Sequence, residues 1–161
     1  MESPDIPNFG ALLAEHIGSI PEPAVPAFLA RLERTAADRY RGWAEAVPAH
    51  SDGLLACAMR EDEIADRVEA LFPATQPEQI EAIEAAIIPA RDTYYEVFDG
   101  LSPVQQMTIQ ANAERQGAAA WRNMIPGVED QSVVDALEQC AQIEEASADY
   151  LDGLLLELAG Q

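Results

Sequence analysis

The chain has 161 residues, 48% of them hydrophobic, which allows one domain with a sizeable core and excludes a disordered chain. Its 29 acidic and nine basic side chains give a net charge of −20, and every basic residue is an arginine. So acidic a protein repels a phosphate backbone and an anionic membrane surface alike, which leaves metal cations rather than nucleic acid or membrane as expected partners.

Residues 1–7 carry Pro4 and Pro7 and form an irregular lead-in. A short amphipathic helix follows from Asn8 to about Ile20, with Phe9, Leu12, Leu13, His16 and Ile17 on one side. His16 there is either a packed residue or a ligand supplied from outside the main helices. Pro21, Pro23 and Pro26 end this helix and delay the next. The first long helix spans about 24–46, with Phe28, Leu29, Leu32, Ala36, Tyr40 and Trp43 as its apolar side. Pro48 and a cap at Ser51-Asp52 make a tight link to a second helix over about 52–71, so the two are antiparallel neighbours. After Pro73, Thr75 and Glu78 have capping-box spacing, and a helix to about Asp99 follows, which Pro89 should kink or split. Ser102 and Gln105 form a second capping box, which starts a third long helix over about 103–124. Pro126 and Gly127 break the chain, and Asp130 caps a fourth long helix that runs to about Leu158. No segment alternates with period two, so the pattern predicts an all-α fold in a single domain over 1–161.

Four glutamates interrupt the apolar stripes of the long helices. Glu61 is flanked at helical spacing by Leu54, Cys57, Ala58, Ile64, Ala65 and Val68, all apolar. Glu144 sits among Leu137, Cys140, Ala141, Ser147, Ala148 and Leu151, and Glu33 among Leu29, Ala30, Ala36, Ala37 and Tyr40. Glu114 has a looser setting, with Met107, Ala111, Gly117, Ala118 and Trp121. A charge on a core face is unfavourable unless it is paired or bound to a cation.

The chain also repeats itself. CAMREDEIADRVEAL begins at Cys57 and CAQIEEASADYLDGL at Cys140; ERTAADRYR begins at Glu33 and ERQGAAAWR at Glu114. The two offsets are nearly equal, so the sequence encodes a helical hairpin twice, joined by the helix around Pro89. The repeat predicts a four-helix bundle with a pseudo-two-fold axis, near which the four glutamates converge. It makes Tyr40 equivalent to Trp121 and Asp66 to Asp149, the aspartates lying toward the edge of the stripe as surface charges. It also puts Cys57 and Cys140 one turn before Glu61 and Glu144, either as small apolar residues or as soft ligands or a redox pair that approach each other. Two cysteines are too few for a disulfide scaffold or a four-cysteine zinc site.

In these features the sequence resembles the ferritin-like superfamily, rubrerythrins most closely. The resemblance rests on a glutamate followed seven residues later by a tyrosine (Glu33, Tyr40) and on the acidic run Glu61-Asp62-Glu63-Ile64-Ala65-Asp66-Arg67; downstream, Glu114 and the run from Glu144 repeat the arrangement, with Trp121 in the tyrosine's place. It implies a di-iron or di-manganese centre built from single glutamates on two helices and Glu-x-x-His on the other two, here Glu33, Glu61, Glu114 and Glu144 as metal ligands. Ile64 and Ser147 stand where the two histidines belong. Without imidazole, an all-carboxylate set favours hard ions such as manganese, ferric iron, magnesium or calcium.

Two readings of function follow. One is a ferritin-like protein with an altered di-metal carboxylate site, holding iron or manganese and acting as a divergent oxidoreductase. The other is a metal-free bundle whose glutamates share protons or pair with Arg34, Arg60 or Arg115, serving as a structural, partner-binding or small-ligand-binding protein with room made at Ile64. A homodimer or other homo-oligomer is expected. Met1 to Gly10 holds no basic segment followed by an apolar run, so the expected location is cytoplasmic. No nucleophile motif of the G-x-S-x-G or P-loop type is present.

Overall fold

A computed structural model describes residues 2–161 and is all-helical: six α-helices and, among the described residues, no strand. They are α1 (Phe9–Gly18), α2 (Val25–Ala46), α3 (Ser51–Leu71), α4 (Pro77–Glu96), α5 (Pro103–Asn123) and α6 (Gln131–Ala159). Short 3₁₀ turns, Glu22–Ala24 and Pro48–His50, lead into α2 and α3.

The local signals set most of these boundaries. Asn8 caps α1 by accepting from the Ala11 N–H (3.0 Å). Ser102 and Gln105 form the expected reciprocal box at α5, with Gln105 N–H to Ser102 Oγ at 3.3 Å and Ser102 N–H to Gln105 Oε1 at 3.0 Å. Asp130 accepts from the Ser132 N–H at the start of α6 (2.9 Å). Gly100 and Gly127 occupy the two left-handed turns, with φ of 73° and 86°, where a side chain would be strained.

Two local expectations are corrected, and of the two outcomes expected at Pro89 one is excluded. The cap of α4 is Gln76, not Thr75, and Gln79 accepts from its N–H (3.4 Å), because Pro77 already takes the first helical position. No side chain caps α3; the 3₁₀ turn at Pro48–His50 runs straight into it and supplies its first carbonyl acceptors. Pro89 does not split α4, which is continuous across it. Proline removes the N–H that the Ala85 carbonyl would accept, but Ala85 and Pro89 both face solvent, so that carbonyl is not stranded in the core.

Two hairpins organise the molecule. α2 packs along α3, α5 packs along α6, and the pairs meet chiefly where α3 contacts α6. α4 lies across α1 and α2. α2 and α5 approach each other less closely and are joined by side chains: Tyr40 to Glu114, and Arg39 and Trp43 to Gln106. No helix among the described residues is long and apolar enough to cross a membrane.

The apolar core is divided. One cluster holds Tyr40, Trp43, Leu54, Cys57, Phe98, Met107 and Leu151. A second holds Ala30, Ile64, Val68, Trp121, Leu137 and Cys140. A third, under α1 and α4, is built on Phe28, Ile83 and Ile87. Each of the four glutamates falls between the first two clusters on its own helix. Glu61 follows Cys57 and Ala58 of the first and precedes Ile64 and Ala65 of the second; Glu33, Glu114 and Glu144 are placed likewise. The acids therefore form a polar layer between two apolar ones.

Candidate metal centre

All four sequence-predicted ligands reach one place, from four helices. Glu61, Glu144 and Glu114 are almost fully enclosed, at 1%, 1% and 2% exposure. Glu33 keeps partial exposure although protein surrounds it, because it lines a cavity beside the layer. One carboxylate oxygen from each of Glu33, Glu61 and Glu144 lies within 4.8 Å of the other two, which is metal-site spacing.

The hydrogen bonds divide the four. Glu114 Oε1 accepts from the Tyr40 hydroxyl (2.6 Å) and from Gln110 Nε2 (2.8 Å). Gln110 is oriented in turn by the Tyr94 hydroxyl, which donates to its Oε1 at 2.5 Å. Glu144 Oε1 accepts from Trp121 Nε1 (3.0 Å). Gly117 makes room for that carboxylate: a Cβ there would stand 2.7 Å from Glu144 Oε1. Both oxygens of Glu61 are buried with no hydrogen-bond donor. Its nearest polar neighbours are other carboxylates, which supply a donor only if protonated.

Electrostatics follow from this geometry. Burial, then the charges of Glu114, Glu144 and Glu33, hold the Glu61 carboxyl well above its usual range. Glu144 is raised likewise by burial and by Glu33 and Glu114, and burial raises Glu33. Tyr40 and Tyr94 are pushed well above the normal tyrosine range by burial and by Glu114 and Glu61, so both stay protonated donors.

The arginines do not neutralise the layer. Arg34 pairs with Asp62, Asp66 and Glu69 outside it; Arg115 pairs with Asp152; Arg60 donates to Cys57 Sγ (3.3 Å). Arginine pairing of the core glutamates is thereby excluded, which leaves protons or bound cations to balance them.

The two positions that depart from the Glu-x-x-His pattern contribute no nitrogen. Ile64 is fully buried in the second apolar cluster, and Ser147 is fully buried with an unpartnered Oγ. Cys57 and Cys140 are free thiols in different apolar clusters, not a pair, and burial pushes each up to about 11. Neither belongs to the group with metal-ligand spacing among the described residues. His16 bonds Thr93 Oγ1 (2.9 Å) between α1 and α4, away from the glutamates. Asp66 and Asp149 are exposed, as their edge positions predict. Gln110, Tyr94 and Gly117 are the site residues that pattern reasoning missed. Gln110 had a signal, since it is a polar residue one turn before Glu114 on the same stripe.

Fold and site together define an all-helical protein with a buried layer of converging carboxylates. No known protein family, curated protein or solved structure gives a significant match to this chain.

Proposed function

We propose that this chain is a four-helix bundle of the ferritin-like kind whose core glutamates bind iron or manganese in an altered, all-carboxylate centre. The observation that supports this most is Glu61: two buried carboxylate oxygens without a donor, beside Glu33 and Glu144 oxygens at metal-ligand spacing. A buried carboxylate without a donor is unfavourable, and a cation supplies the missing partner. The donor set is all oxygen, which suits hard ions and disfavours copper or structural zinc. Glu33, Glu61 and Glu144 would hold the metal. Glu114 is occupied by Tyr40 and Gln110 through Oε1 and has its second oxygen to contribute. Trp121 and Gln110 fix the orientation of Glu144 and Glu114, as outer hydrogen bonds do around metal ligands. Bound iron or manganese would supply one-electron redox chemistry.

The test is metal content of the purified full chain, before and after loading with iron(II) or manganese(II). At least one ion per chain is expected, and the double variant Glu61→Ala, Glu144→Ala should lose it while staying helical. Only trace metal in the loaded wild type overturns the reading and identifies the layer as a set of protonated carboxyls.

A further inference from the structure

A cavity of about 670 Å³ opens onto the carboxylate layer. It lies where α2 and α5 stand apart, and α1 with the segment before it covers one side. Leu13 and Ile17 line it from α1, Leu29 and Leu32 from α2, and Ala120 and Trp121 from α5. Glu33, Glu61 and Glu144 are also in its lining. A centre that handled only ions or dioxygen-sized molecules would need a narrow path. This chamber falls within the roughly 300–1,000 Å³ range of sites that hold drug-sized organic molecules, and such sites are mostly apolar with a few convergent polar groups. The room is not made by Ile64, which is buried in the core and does not line the chamber. It comes from the spacing of α2 and α5.

We propose that the chamber binds a neutral, largely hydrocarbon molecule with one hydroxyl-type donor end, seated with that end against Glu33. The apolar wall selects the body of the ligand. The floor selects its end, because Glu33 is the partly exposed acid of the layer and lines the chamber as an acceptor, while four converging acids disfavour an anionic head group. Where the centre holds metal, this molecule is its substrate class, and that step rests on the reading above; binding in the chamber does not.

The full chain, chelator-treated in one series and manganese-loaded in another, is titrated with N-phenyl-1-naphthylamine, a neutral fluorescent apolar probe. Bound probe is then competed with decan-1-ol or with decanoate. Saturable binding near one probe per chain is expected, with decan-1-ol competing about tenfold better than decanoate on the metal-free protein. Leu29→Trp and Ala120→Trp, on opposite walls, should each weaken the probe about tenfold with melting temperature unchanged. Unsaturable binding, or equal binding by wild type and both tryptophan variants, overturns the proposal. Equal competition by decanoate overturns the proposed donor end. Metal content is measured on the same samples. Probe binding by a protein that takes up no metal upholds the chamber and removes the metal reading, and metal uptake without probe binding does the reverse.

Discussion

Glu61 is the residue on which the site turns. Its carboxyl is raised above the ordinary value of about 4.3 that it takes in an unfolded chain. Between the unfolded and folded values the native state holds the extra proton, so raising the pH through that window removes stability. The stabilising contribution is complete below the unfolded value and declines as pH climbs through the folded one. Surface acids beside arginines, such as Glu84, Glu138 and Glu145, are lowered and act in the opposite sense. A difference curve therefore isolates Glu61. Metal-free Glu61→Gln should exceed wild type in stability by about 1–3 kcal/mol near pH 8, and the gap should close toward about pH 5. Urea unfolding at several pH values measures it, and a gap that widens on acidification contradicts the account. The acids themselves were visible in the sequence, because a charge at helical spacing among alanines and leucines is a contradiction that one dimension displays. The space Gly117 leaves for Glu144, and the Tyr94–Gln110–Glu114 chain, depend on distances between helices, which no single helix encodes.

At the scale of elements, the expected helix boundaries agree with the observed ones to within a few residues, since prolines and polar caps punctuate this chain heavily. Of the two outcomes expected at Pro89, a kink or a split, the split does not occur. A proline interrupts a helix when the carbonyl it strands is buried or when nothing holds the two halves in line. Here the solvent-facing side of α4 carries Ala85 and Pro89, while Ile83, Ala86, Ile87, Ala90 and Tyr94 anchor the other side on both flanks. Packing thus overrides propensity, and the proline persists as a local cost. Pro89→Ala should restore the missing hydrogen bond and stabilise the protein by about 1–3 kcal/mol, read as a rise in denaturant midpoint at constant slope. Loss of stability instead would mean that α4 needs the proline for its path over α1 and α2.

For the whole molecule, charge is the dominant surplus. Seven of the nine arginines form ion pairs, Arg60 lies on Cys57, and Arg39 lies over the rings of Trp43, Tyr95 and Phe98. The remaining acids repel one another through solvent, and mobile ions screen that repulsion within about 10 Å at 0.1 M salt. Sodium chloride raised from low concentration to about 0.5 M should therefore increase the melting temperature by a few degrees. The increase should be the same in wild type and in Glu61→Ala, Glu144→Ala, because screening acts on the surface and not on the enclosed layer. A response confined to wild type would place the main repulsion inside. The helical pattern and its short links made the pairing of α2 with α3 and of α5 with α6 legible, but not the parting of α2 and α5, which is a relation between distant segments that neither segment's sequence encodes.

Side chains of α5 tie the N-terminal segment down over that parting; Gln105 donates to the Glu2 carbonyl at 3.2 Å, and Gln116 makes the closer attachment. Gln116 on α5 accepts from the Phe9 N–H and donates to the Pro7 carbonyl, both at 2.8 Å. Such a two-point clasp turns the question of what enters the chamber into one of rate. A guest that entered under α1 would have to wait for the clasp to let go, and the Phe9 amide proton reports that release. Its exchange with deuterated solvent follows the opening of that segment, and a lodged guest should slow it.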